Sequence, residues 1–278
     1  MTQAPGRIGL VLTRASQVLG EEPYYHEFLE GLERVLTPAG LSVLVKVVTD
    51  RAAEHATYEQ WAARRQVGGV ILVDLSPDDD RVDLVRGLGL PAVVIGDPST
   101  ASGLPTVWTD DAGFAREAVR FLAGRGHTVL GHVCGPLLFA HTQLRRGGFE
   151  AEAADLGLTL VTAEGDYSLD SGRAATAEML ASRPVRPTVI VYDNDVMALG
   201  GLETIRDHDL DVPADVSVVA WDDSAQCQLA APALSAMSHD VGRIGELAAG
   251  AVLDAMRGAS ADIYEAPRAH IVVRDSTR

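Results

Sequence analysis

The sequence predicts an α/β protein of two similar lobes, each a parallel sheet flanked by helices, and three observations carry that prediction. Apolar runs of strand length alternate with stretches of 3.6-residue periodicity, the pattern of strands buried between helices. The alternation runs twice, on either side of a Pro-, Ser- and Gly-rich stretch at 98–105 that reads as a linker. The two series also share a spacing: Gly31 and Gly40 precede Leu41 as Gly148 and Gly157 precede Leu158, nine residues apart in each case.

In the first series, strands are expected at 7–12, 41–48, 69–73 and 91–95, with helices in the gaps. The first helix is the clearest. Tyr25, Phe28, Leu29, Leu32, Val35 and Leu36 recur at i, i+3/4 and i+7, and Gly40 follows as a stop. The second series gives strands at 128–134, 158–163, 188–192 and 216–220, with helices at 111–123, 144–155, 171–182 and 196–207. A helix at 241–256 and a strand near 266–273 close the chain. In open parallel sheets, ligands gather at the carboxyl ends of the strands. Asp97, after the strand at 91–95, and Asp222, after the strand at 216–220, therefore face a shared crevice unless each merely caps its own turn.

Composition excludes several functions. Lys+Arg total 23 against 39 Asp+Glu, and a formal charge of −16 repels nucleic-acid phosphate and anionic lipid alike. Two cysteines, Cys134 and Cys227, make neither a disulfide framework nor a metal clamp, which fits a reduced, cytoplasmic setting. Arg14 interrupts the first apolar run, so no signal-peptide core is legible. The uncharged stretch 126–144 carries three His, three Gly and a Pro, unlike a membrane span. The single lysine, Lys46, sits in no Gly-Lys-Ser/Thr loop, and G-x-G-x-x-G, G-x-S-x-G and H-E-x-x-H are all missing. His127 and His132 fall five apart across a strand and point to opposite faces, so no metal is expected. The Asp78–Asp79–Asp80 run complements the start of a helix.

Several segments together resemble one family over nearly the whole chain, the effector-binding core of LacI/GalR-type transcriptional regulators, similar in turn to type I periplasmic sugar-binding proteins. They are Ile8-Gly9-Leu10-Val11-Leu12 with Glu22-Pro23-Tyr24-Tyr25, in which Glu22 stands where the family has Asn, and Gly124-Arg125-Gly126-His127 with Gly135-Pro136 and Arg145-Arg146-Gly147-Gly148-Phe149. The stretch 187–200, with Asn194-Asp195 and Met197-Ala198-Leu199-Gly200, is the most specific, followed by 216–223 and 271–277.

The resemblance implies a chain that crosses between lobes three times, with one lobe from 1–106 plus 240–262 and the other from 107–239 plus 263–278. It implies a sugar or related small metabolite held in the inter-lobe cleft, and a homodimer that couples this ligand to DNA binding. By motif position Arg145 is the effector-gripping arginine, Asn194 a polar anchor and Asp222 the acceptor of hydroxyl protons. Tyr24, Trp221 and Phe139 would offer apolar faces to a sugar ring, and Thr13 and Asp97 follow from strand-end position. The plainer roles are a helix ion pair for Arg145 and an N-cap before Val196 for Asn194. Only six residues precede the first strand, too few for a helix-turn-helix headpiece, so operator DNA is expected to be reached only through a segment missing here. No cofactor, metal or membrane partner is implied, nor an enzymatic activity. The rival readings are an extracytoplasmic sugar-binding protein of an ABC-type transporter and an enzyme on a related fold. Arg145→Ala or Asp222→Ala is expected to abolish ligand-induced thermal stabilisation while the unliganded melting point stays nearly fixed.

Overall fold

A computed structural model describes residues 6–13, 23–181, 185–259 and 262–278. Glu22 and the expected helix end at Ser182 lie outside them. The chain divides into two compact units, Met1–Thr109 with Asp240–Pro267 and Asp110–His239 with Arg268–Arg278, and so passes from one to the other three times.

Unit 1 holds β1 (Arg7–Thr13), α1 (Pro23–Leu36), β2 (Ser42–Val48), α2 (Arg51–Arg64), β3 (Gly69–Leu72), α3 (Asp80–Gly87), β4 (Ala92–Ile95), β5 (Thr106–Trp108), α9 (Val241–Met256) and β11 (Ile263–Glu265). Its sheet is ordered β11-β5-β4-β3-β1-β2, and every pair is parallel. Strand alternation sorts the core onto two faces. Ile8, Leu10, Ile71 and Val93 pack against α1 and α9, whereas Val11, Val70, Leu72 and Val94 pack against Tyr58 and Trp61 of α2 and Val82 and Val85 of α3.

Unit 2 holds α4 (Asp111–Gly124), β6 (Val129–Cys134), α5 (Ala140–Asp155), β7 (Thr159–Glu164), α6 (Leu169–Ala181), β8 (Val189–Tyr192), α7 (Asp195–Asp207), β9 (Ser217–Trp221), α8 (Ala225–Leu229), β10 (Ser235–Ser238) and β12 (His270–Val272). Its order, β12-β10-β9-β8-β6-β7, repeats that of unit 1. The shared glycine spacing now has a cause. A Cβ on Gly31 would lie 2.1 Å from the Gly242 carbonyl oxygen of α9, and one on Gly148 would lie 2.6 Å from that of Ala112 on α4. Both positions are close helix crossings, and Gly40 and Gly157, at φ +73° and +66°, then turn the chain in the left-handed region into the next strand.

Three expectations change. The stretch 98–105 is not a linker: Pro98–Thr100 forms a 3₁₀ turn capped by Asp97, Thr100 and Ala101 are buried, and β5 follows within the same sheet. The single closing strand is two short ones in different units, divided by Pro267, which lacks an N–H for a ladder. Of these, β12 pairs antiparallel with β10, so the second sheet is parallel in all pairs but that one.

Candidate functional site

The carboxyl edge of the unit 2 sheet gathers Gly135 after β6, Tyr167 after β7, Asp193 and Asn194 after β8, Asp222 after β9 and His239 after β10. Arg145, on α5, brings a cation to this edge. Its Nε donates to Asp111 Oδ1 at 2.7 Å, its Nη1 to the Asp193 carbonyl at 3.3 Å, and its Cζ lies 4.6 Å from the centre of the Trp221 ring. Burial works against its charge, but the carboxylates of Asp111, Asp193 and Asp222 outweigh it and hold its pKa above the usual arginine value. Stacked on one ring and tied through two nitrogens to two separate acceptors, it is oriented before any ligand arrives.

Asp193 is buried, with Oδ1 at 2.8 Å from His132 Nε2 and Oδ2 accepting from the Gly135 N–H at 3.1 Å. Burial works to raise its pKa, yet His132, then Arg145 and the Gly135 amide, hold it below the ordinary carboxylate value. Asn194 caps α7, its Oδ1 accepting from Met197 N at 2.9 Å while its Nδ2 donates to the Tyr167 carbonyl at 3.0 Å. The N-cap role foreseen for it is real, and it also fastens the Tyr167 turn. Tyr167 stands at φ +71°, and its hydroxyl lies 2.9 Å from His141 Nε2 and 3.1 Å from Thr142 Oγ1.

Asp222 stands at φ +75°, so the chain turns sharply just past β9. The neighbouring Asp223 is held by Arg274 at 2.7 Å, while the charge of Asp222 contributes to holding Arg145 protonated. Trp221 is 0% exposed and lies beneath Arg145 in the core of unit 2, so in this chain it is a platform for the guanidinium rather than an open apolar face. Phe139 begins α5 and stacks on His141 at 5.5 Å, linking it to the Tyr167 cluster. His239 packs 5.6 Å from Trp221, and burial, helped by Arg145, pushes its pKa down to about 4, so it is neutral at pH 7.

The unit 1 candidates have local partners. Thr13 Oγ1 donates to Glu54 Oε2 at 3.1 Å. Tyr24 packs edge-on to Tyr25 at 5.3 Å and stacks with Phe28 at 6.2 Å. Asp97 Oδ1 accepts from Ser99 N at 2.9 Å, the turn-capping role that was its plainer alternative. Asp79 does more than complement a helix dipole: buried, it caps α3 and binds Arg81 and Arg51. Sequence reasoning missed Asp111, Asp193, Tyr167 and His132. The strand-end rule used for Asp222 finds Asp193 as well, because it follows β8 directly.

Among the described residues, no group of three or more His, Cys, Asp or Glu is placed to hold a metal ion. His127 Nδ1 instead meets Thr188 Oγ1 at 2.9 Å. Burial pushes the Cys134 and Cys227 thiols up to about 12, away from nucleophilic use. No described helix is long and apolar enough to cross a membrane.

This fold and edge define a ligand-binding core of the periplasmic-binding-protein type, and the profile of the family described as "Periplasmic binding protein-like domain" matches residues 119–277. The chain is 30% identical over 288 residues to the HTH-type transcriptional regulator MalR of Streptomyces coelicolor, covering 99% of this chain and 81% of that protein. It is 27% identical to the HTH-type transcriptional repressor CytR of Escherichia coli, covering 85% and 70%. Among solved structures, a LacI family transcriptional regulator from Bifidobacterium animalis subsp. lactis superposes with a TM-score of 0.89 at 33% identity, covering 98% and 97%. A complex of the transcriptional regulator CelR with cellobiose superposes with a TM-score of 0.90 at 26% identity, covering 99% and 85%. The chain belongs to the LacI family of transcriptional regulators.

Proposed function

We propose that this chain is the effector-sensing and dimerisation core of a LacI-type regulator, and that its effector is a sugar or related small metabolite. The observation that carries this is Arg145, pre-set by Asp111 and the Asp193 carbonyl over Trp221, at the same carboxyl edge of the sheet as Asp222, whose charge it feels. A rigid guanidinium fork donates, Asp222 accepts from hydroxyls, and the second N–H of Asn194 adds a donor, which suits a polyol that must keep its hydrogen bonds on burial. Phe139 supplies apolar surface. Thr13, Tyr24 and Asp97 are the second set of ligand groups in this reading, from unit 1. The solved CelR relative is described with cellobiose, which supports a carbohydrate ligand here.

The mechanism is a coupling free energy. A ligand that prefers one state of the chain shifts it toward that state, and a homodimer passes the preference to a DNA-binding segment outside this sequence. No chemistry on the ligand is needed, so the protein is read as a cytoplasmic sensor rather than an enzyme. The HTH-type relatives favour this over a transport role. The test is thermal-shift and calorimetric titration against mono- and disaccharides, cellobiose first, and nucleosides. A saturable shift with the ligand recovered unchanged is expected; silence to all of them, or chemical conversion, would refute it.

A further inference from the structure

We propose that His132 and Asp193 are positioning residues that fix Arg145 as a hydrogen-bond donor whose charge is already answered, so that this edge takes an uncharged, hydroxylated ligand and turns away phosphorylated ones. The proposal rests on the reading of Arg145 as a ligand group.

The pair is buried where packing does not call for it. Both side chains are 0% exposed at 2.8 Å separation, and His132 stacks on Phe149 at 4.1 Å within the core of unit 2. Stripping water from such a pair is costly, and well-packed apolar residues in its place are often as stable or more so. Stability alone therefore does not explain a His on β6 facing an Asp just past the end of β8. The outward bonds of Asp193 do, because both lead to the ligand edge. Asp193 Oδ2 anchors the Gly135 N–H, where the chain leaves β6 for α5, and the Asp193 carbonyl holds Arg145 Nη1. Phe149, under the His132 ring, lies one helical turn after Arg145 on α5. His132 thus orients Asp193 from beneath while steadying the helix that carries the arginine.

The charges then decide the ligand class. Arg145 meets Asp111 at 2.7 Å and feels the charges of Asp193 and Asp222, so that even with His132 counted as a cation on Asp193 the three carboxylates outnumber the cations. The other cations near this edge bring no surplus. Arg274 is taken by Asp223, Arg146 by Glu150, and His239 is neutral at pH 7. A phosphate binds where a cation is uncompensated, and it would enter a locally negative field here. A neutral polyol uses the same N–H groups without that penalty.

The first test needs no ligand. In ¹⁵N-resolved NMR, the Arg145 Nε–H bonded to Asp111 and the Gly135 N–H bonded to Asp193 report the seat directly. His132→Gln keeps an N–H where Nε2 stood and is expected to leave both signals as in the wild type. His132→Leu is expected to speed exchange at Gly135 about tenfold or more, with exchange at Ile190 of β8 unchanged as the measure of global opening. The double variant His132→Leu with Asp193→Ala removes both buried partners, so it keeps the test open if the single variant fails to fold; because it also deletes the Gly135 acceptor, its readout is the Arg145 Nε–H alone, which is expected to lose its wild-type signal. Unchanged Gly135 and Arg145 signals in these folded variants, or equal loss in His132→Gln, would overturn the proposal.

The second test uses inorganic phosphate and glucose 6-phosphate as probes beside cellobiose. Neither phosphate at about 10 mM is expected to raise the wild-type melting temperature, while Asp193→Asn gains a response to both. Stabilisation of the wild type by either phosphate would overturn the charge argument. Silence toward every neutral probe, with the NMR pattern intact, would support the positioning role and overturn only the ligand reading of Arg145.

Discussion

Replacing Arg81 by methionine is expected to remove about 3 kcal/mol of stability at pH 7. Arg81 is 4% exposed between two acids more deeply buried still, Glu54 at 1% and Asp79 at 0%. Its guanidinium donates to Asp79 at 2.8 and 2.9 Å, to Glu54 at 2.8 Å and to the Asp74 carbonyl at 2.9 Å. Three hydrogen bonds to charged groups amount to roughly 4.5–9 kcal/mol before desolvation of the guanidinium is subtracted. Removing one partner of a buried pair costs about 3–5 kcal/mol. The lower end applies because Arg51 remains on Asp79 at 2.9 Å. The pH dependence follows from the same geometry. Burial works to raise the Asp79 pKa, but Arg81 brings it well below the usual carboxylate value. A depressed carboxylate stabilises the fold above its unfolded pKa of about 3.9, and that contribution fades as pH falls through the folded value. Without Arg81 the burial effect dominates, Asp79 takes up a proton more readily when folded, and the variant's deficit narrows between pH 7 and pH 4. Urea denaturation at both pH values, followed through Trp61, which lies 6.0 Å from Tyr58 beside Glu54, measures this. A deficit under about 1 kcal/mol, or one that widens as pH falls, would show that the network is not held by Arg81.

The helix crossings give a paired prediction. Gly31→Ala and Gly148→Ala should each cost about 1–3 kcal/mol in chemical denaturation, since the new methyl meets a carbonyl oxygen at 2.1 and 2.6 Å. Gly250→Ala on the same helix as Gly242 meets nothing within 4 Å and should stabilise by about 0.5–1 kcal/mol. His127 and His239, both pushed down to about 4 chiefly by burial, fold in the neutral form. Because the unfolded chain binds their protons first, stability should decline as pH falls from about 6.5 toward 4. His239→Leu should flatten that decline, as pH-dependent melting curves would show.

The strands legible in the sequence are those whose apolar runs are long enough to span a buried sheet, such as Val129–Cys134 and Ser42–Val48. Thr106–Trp108 and Ser235–Ser238 were not: TVW and SAMS carry no apolar run of the kind that marks the equally short Gly69–Leu72 and Val189–Tyr192, and their identity comes from neighbours already in place. The glycine spacing was legible because a close helix crossing leaves no room for a side chain, a constraint written at single positions. Arg145, Asn194 and Asp222 are proposed through motif order. Their partners are not, because Asp111 and Asp193 meet Arg145 across 34 and 48 residues of chain, and nothing local in either segment marks the pairing. Trp221 was read by residue type as a ligand face, but its strand end lies one layer beneath α5, where Arg145 covers it.

The same burial changes which substitution tests the site. Arg145→Ala was expected to leave the unliganded melting point nearly fixed, as a surface ion pair would. Its side chain is 14% exposed and its partner Asp111 only 2%, and the charge of the fully buried Asp193 leans on it too. Loss of the guanidinium would take the ion pair from the buried Asp111 and a balancing charge from Asp193, which keeps His132 and Gly135, at a cost on the order of 2–4 kcal/mol even where some water can enter. A lost ligand response in that variant would then mix binding with folding. Asp222→Asn avoids this. It keeps the side chain's shape, and at φ +75° asparagine is at least as well suited as aspartate. The unliganded melting point should move by less than the equivalent of about 1 kcal/mol, while affinity for a hydroxylated ligand falls about tenfold or more as a charged acceptor becomes a neutral one. Isothermal calorimetry with the best neutral ligand, beside melting curves without it, separates the two effects. Unchanged affinity in a stable Asp222→Asn protein would remove Asp222 from the site, and the polyol reading would lose its principal acceptor.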